Sequence, residues 1–192
     1  MKVTILPHDP IWATQFATQK ALLGATLSGI AFHSIEHVGS TSIPGLPAKP
    51  VLDIDIIIPP ASLPSARAAL VRAGYFDCGE MNVPGRFAFR QPGYGPKDAA
   101  FGAASENAEM RRNTYLMIEG SAALRNHLDL KRMLTVDEGL RLEYGALKRE
   151  LAERDWNNIG EYSFAKTDMI CKILEKAGWS GMEVEEVRSV NS

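Results

Sequence analysis

Residues 51–58 read Val-Leu-Asp-Ile-Asp-Ile-Ile-Ile, and Pro59-Pro60 follow. A run so rich in β-branched side chains, closed by two prolines, predicts a buried strand. Side chains two apart on a strand share a face. Asp53 and Asp55 therefore point the same way, about 7 Å apart along the chain, while Ile54 and Ile56 take the opposite face. Two ionised carboxylates that close repel each other, and burial makes the repulsion worse. Either that face is wet, with each aspartate matched to its own partner, or the pair exists to hold a divalent cation. Mg²⁺ suits such a pair, with Mn²⁺ as the alternative, because hard cations take carboxylate oxygens and keep part of their water. A cation held there bridges nucleotide phosphates in an in-line displacement.

The segment before the strand, Glu36 to Pro50, contains Gly39-Ser40-Thr41-Ser42. Glycine lets a backbone turn tightly and approach a ligand. Exposed N–H groups and the hydroxyls of Ser40, Thr41 and Ser42 suit phosphate oxygens. The same composition also describes an ordinary turn. Lys49, just before the strand, stands where it can attract anions.

The chain has 192 residues, 45% of them hydrophobic, and a net charge of −2. That length predicts a single domain. The near-neutral balance argues against a duplex nucleic acid partner held by a basic surface, but allows a small anion gripped by a few cations. The two cysteines, Cys78 and Cys171, have no metal-ligand spacing and suggest a reduced, intracellular setting. No segment approaches the ~20 apolar residues of a membrane span, so no membrane association and a cytoplasmic location are expected.

Asp9-Pro10 opens a helix over Ile11 to Leu27. Strands are expected over Ile30 to Val38, Val51 to Ile58, Arg86 to Gln91 and Thr114 to Ile118, with a helix over Leu63 to Ala73. After Gly120 the pattern becomes helical: Ser121 to Leu134, Val136 to Glu153 and Ser163 to Ala177. An acidic, loose tail follows Trp179. The fold class is α/β (α+β): a mixed sheet flanked by helices over residues 1–120, with a helical part over 121–180 packed on it.

Arg86 and Arg90 alternate with Phe87 and Phe89, so the arginines share one strand face. A guanidinium fork there suits triphosphate oxygens. Tyr162 and Lys166, four apart, present a hydroxyl and an ammonium on one helix face. His37 reads as a hydrogen-bonded structural residue. His8, His33 and His127 carry no signal.

The order Val38-Gly39-Ser40, then Asp53-Ile54-Asp55-Ile56, resembles the signature of the nucleotidyltransferase superfamily with the polymerase-beta-type fold. More narrowly, Glu36 to Ile58 resembles the GrpB family, as do Gly79 to Arg90, Glu161 to Leu174 and the opening Ile5 to Phe16. The resemblance implies a nucleotidyltransferase-like fold, a metal on Asp53 and Asp55, and phosphates over Gly39, Ser40 and Thr41. The chain departs from the pattern at residues 111–115, Arg-Arg-Asn-Thr-Tyr, where family members often carry histidines. No aspartate on Thr114 to Ile118 supplies the superfamily's third carboxylate, which leaves Glu80 as a weak candidate ligand and Glu119 as a weaker one. The implied activity is Mg²⁺-dependent binding of a nucleoside triphosphate such as ATP, with nucleotidyl transfer to an unknown acceptor. The alternative is a non-catalytic module of the same fold that binds a nucleotide or a partner.

Overall fold

The computed structural model describes residues 2–95 and 109–190. Among these, five strands form one mixed sheet: β1 Ser34–Val38, β2 Val51–Ile58, β3 Phe76–Gly79, β4 Arg86–Arg90 and β5 Arg111–Ile118, in the order β1-β2-β5-β4-β3. β2 lies between β1, which is antiparallel to it, and β5, which is parallel. β4 runs antiparallel to β5. The helices are α1 Ile11–Thr26, α2 Leu63–Arg72, α3 Ala122–Val136, α4 Glu138–Ala152, α5 Ile159–Phe164, α6 Thr167–Lys176 and α7 Gly181–Val190.

The alternation in β2 divides the sheet into two faces. Leu52, Ile54, Ile56 and Ile58 join Phe89 and Leu116 in a core against Leu23 and Leu27 at the end of α1 and Ala66 and Leu70 of α2. Full burial of each such leucine or isoleucine stabilises the fold by about 1.5–3 kcal/mol. The opposite face carries the polar residues. Asp53 pairs in register with Asn113 and Asp55 with Tyr115, while Arg90 of β4 lies opposite Asn113.

The helical part is joined to this second face by the loop between β1 and β2. Ile43 and Leu46 from that loop pack with Leu134, Leu140, Tyr144, Met169 and Ile173. The approach is close enough that a Cβ on Gly145 of α4 would lie 3.1 Å from Cδ of Pro47. Side-chain caps set the starts of three helices: Ser121 accepts the Leu124 N–H, Asp137 that of Leu140 and Asn158 that of Glu161. Each such cap contributes about 1 kcal/mol.

Several elements differ from expectation. The first strand begins only at Ser34, and β3 adds an edge strand. The helix expected over Ser163 to Ala177 is two, because Asn158 caps an earlier start and the chain breaks at Ala165-Lys166. Within the tail, Gly181–Val190 is not loose but forms the helix α7, which buries Val184 against Cys171, Leu174 and Trp179. Its acidic character is matched by specific donors, since Glu183 accepts from Ser180 and pairs with Arg125 at 2.6 Å. Cys78 and Cys171 are both free thiols. Among the described residues, no helix is long and apolar enough to cross a membrane.

Candidate active site

Between the polar sheet face and the helical part lies a cavity of about 580 Å³, lined by Gly39, Ser40, Thr41, Lys49, Asp53, Arg86 and Lys166 among others. Seven residues singled out in the sequence thus converge on one hollow of a size usual for small-molecule sites.

The turn at its edge is a short 3-10 segment, Ser40–Ser42. Ser42 donates from Oγ to the Gly39 carbonyl at 2.7 Å, which holds the turn closed. Thr41 does not present its hydroxyl to a ligand as expected: Oγ1 donates to the Val51 carbonyl at 3.1 Å and meets His37 Nε2 at 2.9 Å, tying the turn to β2. His37 is buried and hydrogen-bonded within this turn. Burial first, then Lys131 and His8, pull its pKa down to about 4, and it stacks on Phe16.

The two aspartates have different surroundings. Asp53 faces the cavity; its Oδ1 accepts from Asn113 Nδ2 at 2.9 Å. Burial raises its pKa, against the opposing pull of the Asn113 hydrogen bond and Lys49. Asp55 is fully buried, and its two carboxylate oxygens lie 3.1 and 2.9 Å from Nδ1 of His127. Burial lowers the His127 pKa, but the Asp55 carboxylate outweighs it and the net direction is upward. Below the imidazole, Tyr115 makes an edge contact at 5.7 Å between ring centroids.

Three lysines form one wall. Lys49 and Lys166 sit over the ring of Tyr162, 5.7 and 4.6 Å from its centroid. Lys148 of α4 is 2% exposed, with Nζ 4.7 Å from the Tyr144 ring and no hydrogen-bond partner among the described residues. Burial lowers all three pKa values, with neighbouring cations adding to it for Lys148 and Lys166 and Asp53 opposing it for Lys49 and Lys166: Lys166 falls to about 7, Lys148 well below its ordinary value. Burial also raises the Tyr144 phenol, with Tyr162 and Asp53 adding to the shift and a hydrogen bond to Ser40 opposing it.

The other wall is β4. Arg86 places its guanidinium 5.2 Å from the Tyr115 ring centroid, and Arg90 lines the same cavity. Glu80 is elsewhere. Its carboxylate accepts the Gly85 N–H at 2.8 Å, so it serves its own turn and does not join the aspartates. Glu119 pairs at the surface with His33 at 2.6 Å. Among the described residues, no three of His, Cys, Asp and Glu are grouped to hold a metal.

His127, Asn113, Tyr144 and Lys148 were not singled out in the sequence. Lys148 had a readable signal: it continues the buried stripe Leu140, Tyr144, Leu151 of α4. A charge on an apolar stripe needs a reason.

The chain matches the family described as GrpB protein over residues 2–176. The chain belongs to the GrpB family. A UPF0157 protein of Streptomyces coelicolor is 32% identical over 93% of this chain and 86% of its own length. The crystal structure of the conserved protein GrpB from Enterococcus faecalis superposes with a TM-score of 0.73 at 26% identity, covering 91% of this chain and 96% of that one. The Cid1 poly(U) polymerase matches with a TM-score of 0.51 at 14% identity, covering 79% of this chain and 45% of that chain, a likeness of fold.

Proposed function

We propose that this GrpB protein binds a nucleoside triphosphate together with Mg²⁺ in the cavity and transfers its nucleotidyl group to an acceptor. The observation that carries the reading is the buried, unpartnered Lys148 amine facing the same hollow as Asp53 and the Gly39-Ser40 turn. An amine so deeply buried with no acceptor is costly to the empty fold. A polyphosphate supplies the missing partner to Lys148, and Lys49 and Lys166 flank it.

The residues fit a hard cation that keeps most of its water. Asp53 offers a carboxylate to the cavity, Asp55 would have to give up its His127 contact to reach the same ion, and substrate phosphates would complete such a shell. Mn²⁺ fits the same oxygen donors. When bound, the cation neutralises charge on the phosphates and polarises the α-phosphorus. The remaining work falls to the chain. Lys49, Lys148 and Lys166 hold the β- and γ-phosphates, the amides at Gly39 and Ser40 approach them, and His127 fixes the Asp55 carboxylate. An acceptor lone pair then forms a bond to the α-phosphorus. The bond from that phosphorus to the bridging oxygen breaks, pyrophosphate leaves with the electron pair, and the acceptor proton passes to solvent. Two solved Cid1 structures are described as holding MgGTP and a UTP analogue, which makes the fold a suitable frame for this ligand class.

A second reading has one observation of its own. Asn113, beside Asp53 on β5, is neutral where a further carboxylate would strengthen a metal site. That favours a module that binds nucleotide without turnover. Incubation with Mg²⁺ and α-labelled ATP, followed by assay of pyrophosphate and labelled product over a panel of acceptors, separates the two. Labelled product supports transfer; binding without pyrophosphate release supports the module; no binding contradicts both.

A further inference from the structure

We infer that the acceptor is a small anion, and that Arg86 and Arg90 hold its charged group. This rests on the nucleotidyl-transfer reading above and names the class of its second substrate.

The aspartates stand between two cationic walls. On one side are the turn and the lysines: Lys49 and Lys166 both act electrostatically on Asp53. On the other side is β4, two strands from β2 and hence about 10 Å away. Arg86 acts on His127 and Tyr115, and Arg90 on Tyr115. In an in-line displacement the nucleophile enters opposite the leaving group. If pyrophosphate leaves from the lysine wall, the acceptor enters along the arginine wall.

That wall is built for an oxyanion. Arg67, Arg112 and Arg125 are each matched to a carboxylate. Arg86 and Arg90 have no such match among the described residues; the Nε of each, like that of Arg112, is buried without a hydrogen-bond partner, but only these two face the cavity without a carboxylate. Buried donors left unsatisfied cost free energy in the empty protein. A guanidinium fork takes two oxygens of a phosphate monoester or a carboxylate. A neutral sugar or alcohol would leave both forks unmatched. The chain's net charge of −2 argues against a duplex nucleic acid acceptor held by an extended basic surface. Anion and triphosphate repel each other, and two guanidiniums on the acceptor side offset that repulsion.

The test uses the full chain with Mg²⁺ and a non-hydrolysable ATP analogue at saturation. Phenyl phosphate and benzoate are titrated separately and followed by thermal shift and calorimetry. The analogue alone is expected to raise the melting temperature, and one of the two anions to raise it further. Which one does so distinguishes a phosphorylated acceptor from a carboxylate. Arg86→Gln and Arg90→Gln should weaken that second binding by at least about tenfold. Arg86→Lys, which keeps the charge, should also weaken it and serves if the glutamine variant does not fold. Analogue affinity should stay within about threefold, because the arginines face the acceptor. An analogue shift with no further shift from either anion overturns the acceptor assignment alone. So does an Arg86 variant that loses the analogue, which would give the arginines to the donor. Absence of any analogue shift overturns the nucleotide reading, and the acceptor assignment with it.

Discussion

A Cβ added to Gly39 would stand 2.2 Å from Oδ2 of Asp53 and 2.9 Å from its Cβ and Cγ. The turn and the first aspartate are therefore one unit. Glycine occupies position 39 because the Asp53 carboxylate lies directly over the backbone, and because φ there is +66°. Its missing side chain makes room first for the aspartate, and only through it for a ligand.

Replacing Gly39 with alanine is expected to lower stability by about 1–3 kcal/mol, from the left-handed backbone and the displaced carboxylate together. In an Asp53→Ala background, part of that cost should disappear, because Oδ2 and Cγ are gone while the Cβ at 2.9 Å and the left-handed backbone remain. Denaturant unfolding of the two single variants and the double variant measures the coupling. Equal costs in both backgrounds would show that the Asp53 carboxylate is not what requires the glycine.

The aspartates should respond differently to conversion to asparagine. Burial disfavours the charged form of Asp53, so Asp53→Asn is expected to leave the apo melting temperature unchanged or raised. Asp55 is fully buried against His127, so Asp55→Asn should cost about 1–3 kcal/mol by leaving the imidazole poorly matched. Thermal melts without ligand compare the two. Equal behaviour would mean that the His127 contact contributes nothing.

The lysine wall predicts a pH dependence. In the folded protein Lys166 is held at about 7, against an ordinary value of 10.5. Between those values the unfolded chain binds more protons, so stability rises with pH. Lys166→Met removes this dependence. The variant should be more stable than the parent near pH 7, with the gap narrowing towards about pH 10. Urea unfolding across this range tests the sign; a gap that widens with pH would contradict it.

Much of this was legible in the sequence for physical reasons. β2 was read residue for residue, because β-branched residues and terminal prolines leave a strand few alternatives. The shared face of Arg86 and Arg90 followed from the two-residue period, and β4 keeps it. What escaped depended on packing between distant segments. His127 lies 72 residues from Asp55, and only the fold of α3 against the sheet brings them together. Glu80 looked like a candidate ligand, but a local partner five residues away takes its carboxylate. In the tail, acidic residues obscured Val184 and Val187, whose three-residue spacing holds α7 to the cluster around Trp179.

The central claim is that Lys148 and Asp53 face one Mg²⁺–nucleotide site, and Lys148→Met tests it most directly. Without ligand, replacing a buried amine that lacks a partner with an apolar side chain of similar length should raise the melting temperature. In the parent, Mg²⁺-ATP at 100 times its dissociation constant should add about 2.7 kcal/mol of stability. In Lys148→Met the apo gain should be accompanied by loss of most of the ligand-induced shift at the same concentration. Melts of both proteins, with and without Mg²⁺-ATP, decide it. A variant that keeps the full ligand shift, or a parent that shows none, would contradict the account.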